Sequence, residues 1–232
     1  VEAEALEERS LRPVTEPTTK TALAVQALRS AILRGELTRD IPLTTARIAQ
    51  QLGMSQTPVR EAIRVLQAEG LLHHEPYHSV SVIRYSAKDI HDIFQLRADL
   101  EAQATSIAVS RLTSATFDQL DALQMEMRHA ARRGDLERLN RLNTKWHLLI
   151  YSAADNRVLL EVVQHLWKKF MSEVNWIQPD HAERSLEQHD LLLAALRERN
   201  SELAVELLRA HIQHGEQAAI QFIAQRDQQT AQ

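Results

Sequence analysis

The chain has no cysteine, only five glycines and six prolines in 232 residues, and an aromatic content of 4%. Without cysteine there is no disulfide, no zinc ribbon and no thiol nucleophile. Few glycines, prolines and aromatics argue against a strand-rich sandwich and for helices. No apolar run approaches the roughly 20 residues of a membrane-spanning helix, and no secretory apolar segment opens the chain. These absences lead us to expect a soluble, cytoplasmic protein, mainly α, that makes no contact with a membrane.

What is present is unevenly distributed. The net charge is −4, but from Lys20 to Arg84 eight Lys and Arg face five Asp and Glu, a local excess of +3. Residues 1–19 carry −3, and residues 85–232 carry −4. Residues 1–19 are polar, acidic and interrupted by Pro13 and Pro17, the pattern of a mobile tail. The basic segment 20–84 and the acidic, helix-periodic segment 85–232 read as two separate domains.

Within 20–84, Leu23, Ala27, Leu28, Ala31 and Ile32 recur at helical spacing before Gly35. A short second helix is predicted over about 44–51. Gly53 marks a tight turn, and a third helix follows over 55–69, with Ser55 at its cap and Pro58 in its first turn. Val59, Ile63 and Leu66 share one face of it, so Gln56, Thr57, Arg60 and Arg64 point away from the core. Beyond Gly70, Leu71–His74 and Ser79–Val82 read as a two-stranded wing across a Pro-Tyr-His turn. Three helices and a wing make a winged helix-turn-helix, whose third helix lies in a DNA major groove. Arg34, Thr45, Arg47, Ser55, Gln56, Thr57, Arg60, Arg64 and His78 are the candidate contacts to a double-stranded operator, arginines for phosphate or guanine and Gln and Thr for base edges.

The segment Ser55-Gln-Thr-Pro-Val-Arg-Glu-Ala-Ile63, with Leu66-Gln-Ala-Glu-Gly-Leu71 after it, resembles the DNA-binding domain of GntR-family bacterial transcription regulators. Ala31-Ile-Leu-Arg-Gly35 resembles the end of that family's first helix. Four positions depart from the pattern: Gln56 replaces the usual arginine, Arg39-Asp40 the usual Pro-Gly, and Ser79 the wing-tip glycine. Gln56 therefore predicts an operator different from those of its relatives.

After Arg84 the pattern is helical to the end. Ser86-Ala-Lys-Asp89 is a capping-box start. Breaks at 113–114, 134–135, 155–156, 179–180 and 200–201 divide the remainder into about six helices, an all-α bundle. Asn143 and His147 are four apart on the stripe Leu136, Leu139, Trp146, Ile150. His189 lies among Leu186, Leu193 and Leu196, and His211 among Ala204, Leu207, Leu208 and Ala218. Three helices thus each turn an imidazole inward. Each such residue alone is most simply a core histidine bonded to a carbonyl. Three together suit a divalent ion, for which neutral imidazole is a common ligand. On pattern alone the two readings are about even. His129, His165, His181 and His214 are read as ordinary. Arg97 shares an inward stripe with Glu101, either as a structural ion pair or as an arginine that also grips a ligand carboxylate.

This half is similar to the FCD effector domain of the FadR subfamily of GntR regulators. The resemblance rests on Arg97-Ala-Asp-Leu-Glu101, Asn143-Thr-Lys-Trp-His147 with Ala153-Ala-Asp-Asn156, His189 and His211. It implies a metal held by Asn143, His147, His189 and His211, zinc or nickel by preference. It also implies a small carboxylate effector near Arg97 and Glu101, and a homodimer. Asn143 stands where many members carry aspartate. The expected function is a ligand-responsive regulator, a repressor released by a small carboxylate. Alternatives are an acyl-type or metal-only sensor with the same DNA-binding domain and, more distantly, a metal-dependent hydrolase. The hydrolase lacks a His-Glu-x-x-His motif to supply a general base.

Overall fold

The computed structural model describes residues 19–33, 37, 43–75, 79–83, 85–169 and 180–230. The tail predicted over 1–19, apart from Thr19, lies outside the described residues, as do Arg34 and His78.

The N-terminal elements run α1 (Lys20–Leu33), β1 (Leu43–Thr44), α2 (Thr45–Leu52), α3 (Gln56–Ala68), β2 (Leu72–Glu75) and β3 (Ser79–Val82). Ala24 and Leu28 of α1, Ile48 and Ala49 of α2, and Val59, Ile63 and Leu66 of α3 close one small core with Leu71, Leu72 and Val80. Gly53 makes the α2–α3 turn. Its φ of 62° is the left-handed conformation that glycine adopts without a Cβ penalty, and its N–H and that of Met54 satisfy the last carbonyls of α2.

Two local expectations are corrected. The wing is a three-stranded antiparallel sheet of order β1-β3-β2, because Leu43 and Thr44 pair with Val80 and Ser79. A two-residue strand is too short to show periodicity, and Thr44 also caps α2 by accepting from the Arg47 N–H. Ser55 occupies the N-cap of α3 with extended backbone, but its side chain makes no capping hydrogen bond.

The remaining helices are α4 (Ala87–Ala108), α5 (Ser114–Arg132), α6 (Leu136–Ser152), α7 (Arg157–Lys169), α8 (His181–Arg197) and α9 (Ser201–Thr230). Their starts explain the breaks in the sequence. Ser86 and Asp89 form a reciprocal capping box, and Thr113 and Asp135 accept from backbone N–H groups in the first turns of α5 and α6. Asn156 and Asn200 do the same for Leu159 and Leu203. These helices pack around a second core, with Phe94, Leu120, Met127, Leu139, Trp146, Ile150, Leu192 and Leu208 near its centre. The described residues therefore form two separate hydrophobic clusters, one in each half of the chain.

Candidate metal centre and DNA-reading face

On α3, burying Val59, Ala62, Ile63 and Leu66 forces the opposite face outward, and Gln56, Thr57, Arg60 and Arg64 are all exposed. Arg64 Nη1 donates to Glu61 Oε1 at 2.8 Å, a surface pair worth about 0–1 kcal/mol, and Arg60 has no ion pair among the described residues. Ser55 and Arg47 are exposed beside this face, and Thr45 is half-buried at the start of α2.

The three inward histidines meet. His147 Nε2 stands 3.2 Å from His189 Nε2, which stands 3.3 Å from His211 Nε2. One donor atom from each of the three falls within 4.8 Å of the others. Two imidazole nitrogens bound at about 2.0–2.1 Å to one ion stand roughly 2.9–3.4 Å apart, so the observed spacings suit a shared cation.

The outer ring nitrogens determine where the protons lie. Tyr151 Oη donates to Glu101 Oε2 at 2.6 Å, so its oxygen can only accept from His147 Nδ1, 3.1 Å away. Burial and the Glu101 carboxylate raise Tyr151 well above the usual phenol range and keep it a neutral donor. Gln188 Oε1 lies 3.1 Å from His211 Nδ1 and 3.2 Å from His214 Nδ1 and accepts from both. His147 and His211 therefore carry their hydrogens on Nδ1 and turn bare Nε2 lone pairs inward. His189 stands between them, stacked on Trp146 at 4.3 Å, and has at most one Nε2 hydrogen to share. Burial holds His147 and His211 well below the usual imidazole range and His189 down at about 3, so all three are neutral.

Asn143 lines the same cavity, 7% exposed, and its Oδ1 has no hydrogen-bond partner among the described residues. A buried carbonyl oxygen left bare costs about 1–3 kcal/mol unless something meets it. Converging lone pairs and an orphaned oxygen form the donor set of a cation site. Arg97 forms the other wall. Its Nε donates to Glu101 Oε1 at 2.8 Å, and its guanidinium lies 4.7 Å from the Phe94 ring centre and 4.8 Å from that of Trp167. Glu101 is fully buried and also accepts from Trp167 Nε1 at 2.7 Å. It lies behind the cavity wall and holds Arg97, Tyr151 and Trp167 in place.

Sequence reasoning missed several of these partners. His181 is not ordinary: it is 5% exposed, lines the cavity and stacks on His214 at 4.4 Å, and burial lowers it to about 4. His181, Ser185 and His189 stand four apart on one face of α8, a signal available in the spacing. Tyr151 likewise follows Asn143 and His147 at intervals of four. Trp167 and Gln188 had no such signal. His129 and His165, read as ordinary, are exposed and do not line the cavity.

Comparison with known proteins agrees with both halves. Residues 20–82 match the model of bacterial regulatory proteins of the gntR family, and residues 92–214 match the FCD domain. The chain is 30% identical over 179 residues to the HTH-type transcriptional regulator McbR of Escherichia coli K12, covering 75% of this chain and 81% of McbR. It is 29% identical over 198 residues to a probable D-xylose utilization operon transcriptional repressor of Paenarthrobacter nicotinovorans, covering 84% and 87% of the two chains. The solved structure of E. coli McbR/YncC superposes with a TM-score of 0.69 at 27% identity, over 90% of this chain and 99% of that one. The chain belongs to the GntR family of bacterial transcriptional regulators and carries that family's helix-turn-helix domain together with an FCD domain.

Proposed function

We propose that residues 20–84 read an operator and residues 85–232 sense a small carboxylate at a metal centre, as in the FadR subfamily, with the protein acting as a cytoplasmic, nucleoid-associated repressor. The observation that carries this reading is the preset pair of Nε2 lone pairs on His147 and His211 facing His189, with Asn143 Oδ1 bare in the same cavity. A bound divalent ion, zinc or nickel by its nitrogen donors, supplies positive charge and an open position for a carboxylate oxygen. The chain's own residues do the rest. Tyr151 and Gln188 orient the ligating rings, and Arg97 offers its remaining guanidinium nitrogens to the anion. Phe94 and Trp167 exclude water from that contact.

On the DNA side, Arg60 and Arg64 grip the backbone or guanine, and Gln56 and Thr57 read base edges, flanked by Thr45, Arg47 and Ser55. Two copies bind two half-sites, because helix-turn-helix readers gain affinity from matched two-fold symmetry. The acid acts only by binding one arrangement of the reading heads better than another.

A second reading has one observation in its favour. The cavity measures about 30 Å³, room for roughly one or two waters and far below the ~300 Å³ or more of ordinary ligand pockets. In that reading the ion alone is the signal. Metal analysis of protein purified without chelators, followed by selection of operator DNA from a random library, tests both. About one divalent ion per chain with operator affinity answering to added acids supports the carboxylate sensor. Affinity that tracks the ion alone supports the metal sensor, and protein without a divalent ion contradicts both.

A further inference from the structure

The α7 terminus touches both functional regions. Trp167, two residues from its end, walls the cavity, lies under Arg97 and donates to Glu101. Lys169, its last residue, reaches the other half of the molecule. A Cβ built on Gly70 would stand 3.5 Å from Lys169 Cδ and 3.3 Å from Tyr85 Oη.

Gly70 is not a neutral point of contact. It ends the recognition helix in the left-handed conformation, φ 76°, and its N–H and that of Leu71 close the last turn of α3 on Gln67 and Leu66. Tyr85 Oη donates to the Gly70 carbonyl at 3.1 Å. Tyr85 immediately precedes the Ser86 cap of α4, and α4 carries Arg97 and Glu101. The end of the DNA-reading helix is thus clasped between Tyr85, at the start of α4, and Lys169 of α7, two helices that wall the cavity. A side chain at Gly70 would compete with both.

The cavity's size makes this clasp consequential. An organic acid does not fit about 30 Å³, so the wall must move to admit one. Phe94 is fully buried in the bundle core, whereas Trp167 is only half-buried. Trp167, with less of its surface packed, is the more easily displaced of the two walls.

We propose that Lys169 is a positioning residue for the recognition helix. Displacement of Trp167 by an entering acid shifts the α7 backbone beside it, and Lys169, two residues on, carries the shift to Gly70 and the end of α3. This rests on the carboxylate reading of the cavity, but it can be tested without an acid.

The test is a double-mutant cycle on operator affinity in the full chain, with Trp167→Ala, Lys169→Ala and both, using DNA selected by the wild-type protein. Trp167→Ala imitates displacement of the ring and should weaken operator binding at least about five-fold, the lower end of ordinary coupling between sites. In the Lys169→Ala background the same change should alter affinity less than about two-fold. Trp167→Phe retains the packing, loses the Glu101 bond and should give a smaller shift in the same direction. Circular dichroism melts establish that each variant is folded.

Independent, multiplying effects of the two substitutions would overturn the proposal, because relay through Lys169 requires non-additivity. A folded Trp167→Ala or Trp167→Phe with wild-type affinity would also overturn it. Zinc titration of the same proteins reads the cavity separately. Wild-type protein that binds no zinc defeats the metal-centre reading and leaves the result of the cycle standing.

Discussion

The DNA-reading face and the cavity are built in opposite ways. The first is a single exposed helix face whose side chains act almost independently, with one surface pair, Arg64 and Glu61, among them. The second is buried and assembled from α4, α6, α7, α8 and α9; hydrogen bonds run from Arg97 through Glu101 and Tyr151 to His147 and from His211 to Gln188, and the Nε2 atoms of His147, His189 and His211 meet between them. A substitution on the exposed face should therefore change one property. A substitution in the cavity should change several.

The largest expected effect separates the two regions. Arg60→Ala with Arg64→Ala should remove the two proposed arginine contacts to DNA, of about 1–3 kcal/mol each, and lower operator affinity by roughly two or more orders of magnitude. Melting temperature and zinc binding should barely change, as surface substitutions cost within about 0.5 kcal/mol. A fall in zinc affinity would break the separation. Tyr151→Phe comes next. It leaves His147 Nδ1–H without its acceptor and Glu101 Oε2 without a donor, so zinc affinity measured by chelator competition should drop about 10–100-fold. Unchanged affinity would show that the ring is oriented by packing alone.

Acid titration gives the third effect. Buried His189 and His181 have folded values of about 3 and about 4 against an ordinary 6.5. Between those values and 6.5 the unfolded chain binds more protons than the folded one. Metal-free protein should accordingly be at full stability above about 6.5 and lose it progressively as the pH falls toward 4. His181→Gln should flatten that slope in urea melts across the same window, and an unaltered slope would place the titration elsewhere. The smallest effect sharpens a local contrast. Thr44→Ala removes a formed cap and should cost about 1 kcal/mol, whereas Ser55→Ala removes none and should cost a few tenths. Equal costs in denaturant melts would contradict this difference.

The same contrast explains what could be read from the sequence. Helix starts and the outward face of α3 depend on neighbours three or four residues away, so Gly53, Gly70, Ser86 and the Val59–Ile63–Leu66 stripe could be identified directly. Inward histidines were also legible one helix at a time. Their convergence was not, because it depends on how α6, α8 and α9 cross. Trp167 and Gln188 lie on helices whose periodicity says only that they are partly buried. The third strand escaped notice for a different reason: Leu43 and Thr44 acquire strand geometry from pairing with β3, not from a pattern of their own.

The central claim is that the imidazole cluster holds an ion and that a small acid bound there controls DNA binding. Its most direct test is operator affinity of metal-stripped protein, measured with and without one equivalent of zinc while a panel of small carboxylates is titrated, in wild type and in His147→Ala. The account predicts stoichiometric zinc uptake and an acid in the panel that weakens operator binding at least about five-fold in the presence of zinc, with both effects lost in His147→Ala. A response of the same size in zinc-free protein or in His147→Ala would contradict it.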